Sequence, residues 1–138
     1  MPLAADKQDH IVAVVDDDPR VRESLEQLFD SAGIAHISFH SAEEALQYGG
    51  LTSIRCLITD VRMPGIDGCE LQRRMTAALP TLPIIFVTAD HDDEVRRNTL
   101  YQGAFAFFYK PFDGEELLNT VDAAVRQSRT SEASDVDC

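Results

Sequence analysis

The sequence predicts a doubly wound α/β fold, in which five parallel strands alternate with five helices. Short apolar runs rich in β-branched residues, such as 11–15 and 84–87, are typical of strands covered on both faces. Segments with apolar residues at helical spacing lie between these runs. Right-handed crossovers through such helices build a central parallel sheet with helices on both faces.

The first strand is predicted over residues 11–15, and it runs directly into three consecutive aspartates. The last of these, Asp18, can cap a helix whose first residue is Pro19, because a proline at that position leaves no N–H unpaired. Apolar residues then recur at helical spacing until Gly33, which can adopt the left-handed conformation that ends a helix.

The second unit begins with a loosely alternating strand over residues 34–39. Ser41 and Glu44 have the spacing of a capping box, which predicts that a short helix begins there. The glycine pair 49–50 ends this helix.

The third strand is predicted over residues 56–59 and ends in Asp60. A turn-rich loop over residues 63–68 follows it. The loop leads into a helix with Leu71 and Met75 on its apolar face.

The last two units are predicted as a strand over 84–88, a helix over about 92–102, a strand over 104–109 and a helix that Asp113 opens. The helix over 92–102 has few strong apolar anchors, so we expect it to be weakly held.

The pattern gives one domain, over residues 10–127. Residues 1–9 are short and polar and are predicted to be a flexible lead-in. Residues 128–138 have almost no apolar content and are predicted to be a linker or tail.

The composition restricts the function. A net charge of −12 disfavours direct binding of nucleic acid or of an anionic membrane surface, because phosphates would be repelled. Three cysteines without a C-x-x-C spacing indicate neither a disulfide framework nor a zinc site. No apolar run approaches the roughly 18 residues of a membrane span, so we expect a cytoplasmic protein.

Polar residues gather where the predicted strands end: Asp16, Asp17, Asp60, Thr88 and Lys110. The carboxyl ends of parallel strands form the ligand-binding edge of such sheets. Carboxylates that converge there repel one another, and a divalent cation removes that cost. Oxygen ligands without histidine or cysteine favour Mg2+ or Ca2+ over zinc.

The same residues suit phosphoryl transfer. The Asp60 carboxylate can attack phosphorus to give an aspartyl phosphate, Thr88 can hydrogen-bond the phosphoryl group, and Lys110 can neutralise its oxygens. Each residue alone also has an ordinary explanation: helix capping for the aspartates, strand propensity for Thr88 and a solvated charge for Lys110.

The chain resembles the receiver domain of two-component response regulators. The resemblance rests on four stretches of sequence: VVDDD at 14–18, TDVRMPGIDG at 59–68, VTA at 87–89 and KPF at 110–112. It implies a flavodoxin-like sheet with strand order 2-1-3-4-5. Residues 41–45 and the Gly-Ala pair at 103–104 are most similar to FixJ-like regulators, which usually carry a LuxR-type, helix-turn-helix output domain.

The resemblance also implies roles for individual residues. It makes Asp60 the residue phosphorylated by a cognate histidine kinase, and it makes Asp16, Asp17, Asp60 and the main-chain carbonyl of Arg62 the ligands of Mg2+. It implies a cis peptide bond between Lys110 and the following proline.

The family's switch uses a hydroxyl and an aromatic residue, and Thr88 and Phe107 occupy those positions. From the pattern alone, Phe107 is a core residue of the fifth strand. A phosphorylation-dependent homodimer through helix 4, strand 5 and helix 5 is a further expectation from the family.

The expected function is therefore that of a phospho-accepting, non-enzymatic signalling module that controls a transcriptional output domain or partner. Two alternatives stay open. A magnesium-dependent phosphatase would need a second acid two residues after Asp60, where Arg62 stands. A scaffold that only binds proteins would lack the nucleophile or the acidic pair, and all three carboxylates are present.

Overall fold

The computed structural model describes residues 11–137, apart from the side chains of Leu51 and of residues 129–137. Five strands form one sheet with the order β2-β1-β3-β4-β5, and every neighbouring pair is parallel. This confirms the predicted fold class and strand order. The strands are β1 Ile11–Val15, β2 His36–Phe39, β3 Ile54–Thr59, β4 Ile84–Thr88 and β5 Ala106–Tyr109.

Within residues 11–137, five α-helices follow the strands, and one 3-10 turn, Leu51–Ser53, precedes β3. The helices are α1 Pro19–Ser31, α2 Ala42–Gln47, α3 Gly68–Ala78, α4 Asp93–Tyr101 and α5 Gly114–Asp137. The predicted caps are present, since Asp18 accepts from the Arg20 N–H and Ser41 accepts from the Glu44 N–H. Two more aspartates, Asp67 and Asp92, cap α3 and α4 in the same way.

Two strands begin later than the sequence predicts. The Ile34 N–H donates to Phe29 O and the Ala104 N–H donates to Thr99 O, so both residues still complete the end of the preceding helix. The strands start only once these carbonyls are satisfied, at His36 and Ala106.

The last helix is longer than predicted. Residues 128–137, which were expected to form a linker or tail, continue α5. No glycine or proline occurs after Gly114, so the sequence holds no strong helix breaker there. The predicted lead-in over residues 1–9 lies outside the described part of the chain.

The core lies on both faces of the sheet, as the apolar strands predict. On one face, alternate strand residues such as Val14 and Ile58 pack against Phe29 of α1 and Leu117 of α5. On the other face, Val15, Leu57 and Phe86 pack against α2 and α3. Within α4 the one fully buried residue is Thr99, which confirms that this helix has few apolar anchors.

Candidate functional site

Three carboxylates meet at the carboxyl edge of the sheet. Asp16 and Asp17 follow β1, and Asp60 follows the neighbouring strand β3. The Asp60 N–H donates to Val15 O at 3.1 Å, which fixes the two strand ends side by side. One carboxylate oxygen from each of the three aspartates lies within 4.8 Å of the others.

Asp16 is the buried member of this cluster, with 2% of its surface exposed. Its Oδ1 accepts from the Asp18 N–H at 2.9 Å, and its Oδ2 accepts from Lys110 Nζ at 3.3 Å. Burial raises the pKa of Asp16; the Asp18 N–H bond and the Lys110 charge oppose the rise, whereas Asp60 adds to it. A bound cation would lower the free-energy cost of burying this negative charge.

Asp60 presents its two oxygens to different neighbours. Oδ1 accepts from the Val61 N–H at 2.6 Å, and Oδ2 lies 3.6 Å from Lys110 Nζ. Its side chain is 14% exposed, so it is held in place but still accessible to a small reactant.

Gly68 packs closely against the backbone of Asp60. The Gly68 N–H donates to Val61 O at 2.8 Å. A Cβ atom at position 68 would lie 2.1 Å from Asp60 O, so only glycine fits this contact without a shift of backbone.

Lys110 reaches the cluster from the end of β5. Its N–H donates to Thr88 O at 2.8 Å, which aligns the ends of β4 and β5. The Lys110-Pro111 peptide bond is cis, as predicted from the resemblance. Since Lys110 Nζ lies near both Asp16 and Asp60, the lysine partly neutralises the cluster.

Thr88 and Arg62 connect the cluster to the loop before α4. Thr88 is buried, and its Oγ1 accepts from the Asp90 N–H at 3.2 Å. Arg62 is exposed; its Nε pairs with the Asp90 carboxylate, and its Nη2 lies 3.7 Å from Asp92 Oδ2. The Asp90 contact raises the pKa of Arg62.

Phe107 of β5 lies between two other aromatic residues, Phe86 and Tyr109. Its ring stacks on Phe86 at 5.8 Å and meets Tyr109 edge-on at 5.3 Å. The Tyr109 hydroxyl donates to Asp93 Oδ1 at 3.0 Å, and its ring stacks on His91 at 4.2 Å. Phe107 is therefore a partly buried core residue in contact with the residue that is tied to the first turn of α4.

The donor set fits magnesium. Three carboxylates that converge within 4.8 Å, with one of them buried, form a hard oxygen site of the kind that Mg2+ prefers. The three carboxylates follow the ends of two paired strands, which are rigid supports.

Two contacts near this site are not evident from the sequence. Glu43 of α2 accepts from the Ile66 N–H in the β3–α3 loop, and Tyr109 bonds Asp93. Both join residues that are distant in sequence. The run of acids around Glu43 could have drawn attention to it, but the capping box formed by Ser41 and Glu44 already accounted for that run.

Across residues 11–137, the structure contains no helix with the length and apolar character of a membrane span.

Comparison with known proteins agrees with this geometry. A family model described as the response regulator receiver domain matches residues 12–122. The chain is 36% identical over 124 residues to the transcriptional regulatory protein FixJ of Bradyrhizobium diazoefficiens, a match that covers 90% of this chain and 60% of FixJ. It is 40% identical over 119 residues to nodulation protein W of the same organism, covering 86% of this chain and 52% of that protein.

Solved structures give the same result. The structure of full-length FixJ from B. japonicum superimposes with a TM-score of 0.80 and 35% identity, over 92% of this chain and 63% of FixJ. The chain therefore spans between half and two thirds of the length of these relatives.

Proposed function

Because this chain belongs to the response regulator receiver domain family of two-component signalling, we propose that Asp60 is the residue that accepts its phosphoryl group. The single observation that carries the proposal is the placement of Asp60. Its carboxylate shares the carboxyl edge of the sheet with two further aspartates and faces Lys110 Nζ at 3.6 Å.

The reaction is a displacement at phosphorus. The donor is a phosphohistidine of a partner histidine kinase. Oδ2 of Asp60, the oxygen on the Lys110 side, forms the new O–P bond. The P–N bond to the histidine breaks, and its electron pair returns to the imidazole. Lys110 is close enough to offset the charge that the phosphoryl oxygens bring.

The converging carboxylates of Asp16, Asp17 and Asp60 would hold Mg2+. The main-chain carbonyl of Arg62, which the family resemblance implies, would be a further ligand. The cation supplies charge neutralisation at the phosphoryl oxygens when bound. The protein's own contribution is to hold three mutually repelling carboxylates together by strand pairing, by the Asp18 and Val61 N–H groups and by Lys110.

Phosphorylation of Asp60 changes the structure away from the site through Thr88 and Phe107. A phosphoryl group on Asp60 adds about −1.5 to −2 charge and three acceptor oxygens. It attracts the Thr88 hydroxyl, which is bonded to the Asp90 N–H and so to the loop that precedes α4. Movement of this loop changes the packing of Phe107 and the surface of α4 and β5.

The output is a changed protein surface rather than a chemical product. FixJ is a transcriptional regulatory protein, so we place this chain in control of a transcriptional output domain or partner. A phosphorylation-dependent homodimer through α4, β5 and α5 is the form we expect this control to take. Residues 10–127 form the signalling unit and residues 128–138 are a linker or tail. This chain acts in the cytoplasm and does not itself bind nucleic acid.

The phosphatase alternative has less support. The position two residues after Asp60 is occupied by Arg62, whose side chain pairs with Asp90 and Asp92. The general acid that a phosphatase needs at this position is therefore absent, and a permanently charged arginine stands there instead.

The test uses intact-protein mass spectrometry. Wild-type protein incubated with Mg2+ and a small acyl phosphate should gain the mass of one phosphoryl group, and Asp60→Asn should gain none. Asp67→Asn is the matched control, because Asp67 lies in the same loop but caps α3. An unlabelled wild type, or labelled Asp60→Asn, would overturn the proposal.

The metal assignment has its own test. Asp17→Ala should weaken Mg2+ binding by about 10- to 100-fold in calorimetry, the effect expected when a metal site loses part of its ligand support. Equal affinity in wild type and variant would contradict the assignment.

Sedimentation of the phosphorylated and unphosphorylated protein tests the homodimer. If the homodimer depends on phosphorylation, the larger species should form only after phosphorylation.

A further inference from the structure

We propose that Glu43 of helix α2 is a positioning residue for phosphorylation of Asp60. Its carboxylate holds the β3–α3 loop in the arrangement that presents Asp60 to the reacting phosphoryl group and the Arg62 carbonyl to Mg2+. The inference rests on the proposed function and adds to it a residue outside the acidic cluster.

The contact joins two elements that are distant in sequence. Glu43 Oε2 accepts from the Ile66 N–H at 3.0 Å, across 23 residues of chain. Glu43 lies in the first turn of α2, whose start is fixed by the Ser41 cap. The carboxylate is thus supported by a capped helix, while Ile66 belongs to an irregular loop.

Gly65 makes room for this carboxylate. A Cβ at position 65 would lie 2.3 Å from Glu43 Oε2, so the side chain lies directly against the loop backbone. Gly65 also has φ of +77°, a conformation that glycine adopts without penalty. The first observation places the Glu43 carboxylate against the loop backbone, and the second marks a tight turn of the loop at the same residue.

The loop needs such support because its other anchors lie elsewhere. Near its start, Val61 and Met63 are buried in the core. At its end, the Gly68 N–H bonds Val61 O. Between Met63 and the α3 cap, Glu43 provides the hydrogen-bond acceptor for the part-buried Ile66 N–H.

Loss of this bond would act on the site through the loop backbone. Arg62, whose carbonyl is the proposed metal ligand, lies four residues before Ile66, and Asp60 precedes it by two. A part-buried N–H without an acceptor is unfavourable, so the loop would rearrange to satisfy it in water. The Arg62 carbonyl would then be less well placed for Mg2+.

The electrostatics agree with the geometry. The Ile66 N–H bond is the main cause that lowers the pKa of Glu43, so the contact favours the ionised carboxylate. An ionised acceptor makes the stronger bond to the loop.

Helix α2 supplies a matched control. Glu44, the next residue, accepts from the His40 N–H at 2.8 Å and caps the same helix. Glu44→Ala therefore removes the same kind of bond from the same helical turn without touching the β3–α3 loop.

The experiment compares wild type, Glu43→Ala, Glu43→Gln and Glu44→Ala. The measurements are Mg2+ affinity by calorimetry, the rate of phosphoryl incorporation from a small acyl phosphate, and amide hydrogen exchange at Ile66. Glu43→Ala should weaken Mg2+ binding and slow incorporation by about 3- to 10-fold, with faster exchange at Ile66. Glu43→Gln keeps a carbonyl acceptor and should stay within about 2-fold of wild type.

Glu44→Ala should unfold more easily than wild type but keep its Mg2+ affinity and incorporation rate. The inference is overturned if Glu43→Ala matches wild type in both Mg2+ affinity and incorporation rate, or if Glu44→Ala is equally impaired in them. A wild type that takes up no phosphoryl group would overturn the proposed function. In that case the Mg2+ affinity of Glu43→Ala relative to wild type decides the inference by itself.

Discussion

The single ammonium group of Lys110 interacts with two carboxylates, since its Nζ lies 3.3 Å from Asp16 Oδ2 and 3.6 Å from Asp60 Oδ2. Lys110→Met removes the charge and keeps much of the stem. Without metal, the variant should unfold more easily by about 1–3 kcal/mol, because a buried carboxylate loses its partner. Its Mg2+ affinity should rise, because the cation no longer competes with the lysine.

Chemical denaturation in chelator and calorimetry with Mg2+ measure the two effects. Arg126→Met is the matched control, since Arg126 pairs with Asp122 in an exposed position on α5. It changes the net charge equally and should leave both quantities near wild type. Weaker Mg2+ binding by Lys110→Met would show that the lysine helps to build the metal site instead.

Cys56 and Cys69 should differ in reactivity. Cys56 is fully buried, and desolvation raises its pKa to about 12. Very little of the Cys56 thiol is then ionised at pH 8. Iodoacetamide followed by peptide mass mapping should label the half-buried Cys69 first and Cys56 only after denaturation. Native labelling of Cys56 at the rate of Cys69 would contradict this account.

The sequence was sufficient to identify the residues at the strand ends but not those that support them. Asp16, Asp60 and Lys110 follow apolar runs directly, so the parallel topology alone brings them together. The Glu43 contact depends on the path of an irregular loop, which periodicity does not describe.

The first residue of α3, Gly68, meets the backbone of Asp60 and Val61 directly after β3, and this approach leaves no space for a side chain. Gly68→Ala should destabilise the fold by about 1–3 kcal/mol, because backbone must move to accept the methyl group. It should also slow phosphorylation, since the atom in the way is the carbonyl oxygen of Asp60.

Thermal unfolding and the rate of phosphoryl incorporation measure these effects. Gly49→Ala serves as the control, because a Cβ there meets nothing within 4 Å. The control should be neutral or slightly stabilising. If Gly68→Ala behaves like Gly49→Ala, the close contact of Gly68 with the backbone of Asp60 is not needed for the site.

The order and type of helices and strands were predictable because strong apolar periodicity determines them. Their ends were less predictable. Ile34 and Ala104 have apolar side chains that suit a strand, yet their N–H groups complete the preceding helices. Helix α5 continues past residue 127 to Asp137, because polar composition alone does not end a helix and the segment contains no helix breaker.

The protein as a whole carries a net charge of −12, so its folded state contains unfavourable self-repulsion. Raising NaCl from about 20 to 500 mM should increase the thermal unfolding temperature of wild type and Asp17→Ala alike, because salt screens the charge repulsion in both proteins. A few millimolar Mg2+ at constant ionic strength should stabilise wild type far more than the variant. Equal stabilisation by Mg2+ would mean that the cation acts only as a counterion.

Tyr109 gives this protein an intrinsic optical probe. The chain has no tryptophan and three tyrosines, so its near-ultraviolet emission comes from the phenol rings. The Tyr109 hydroxyl is bonded to the Asp93 carboxylate, an arrangement that quenches phenol fluorescence by excited-state proton transfer. Any rearrangement that withdraws the first turn of α4 from β5 would break that bond and brighten the emission, so the state of the switch can be followed in real time without a dye.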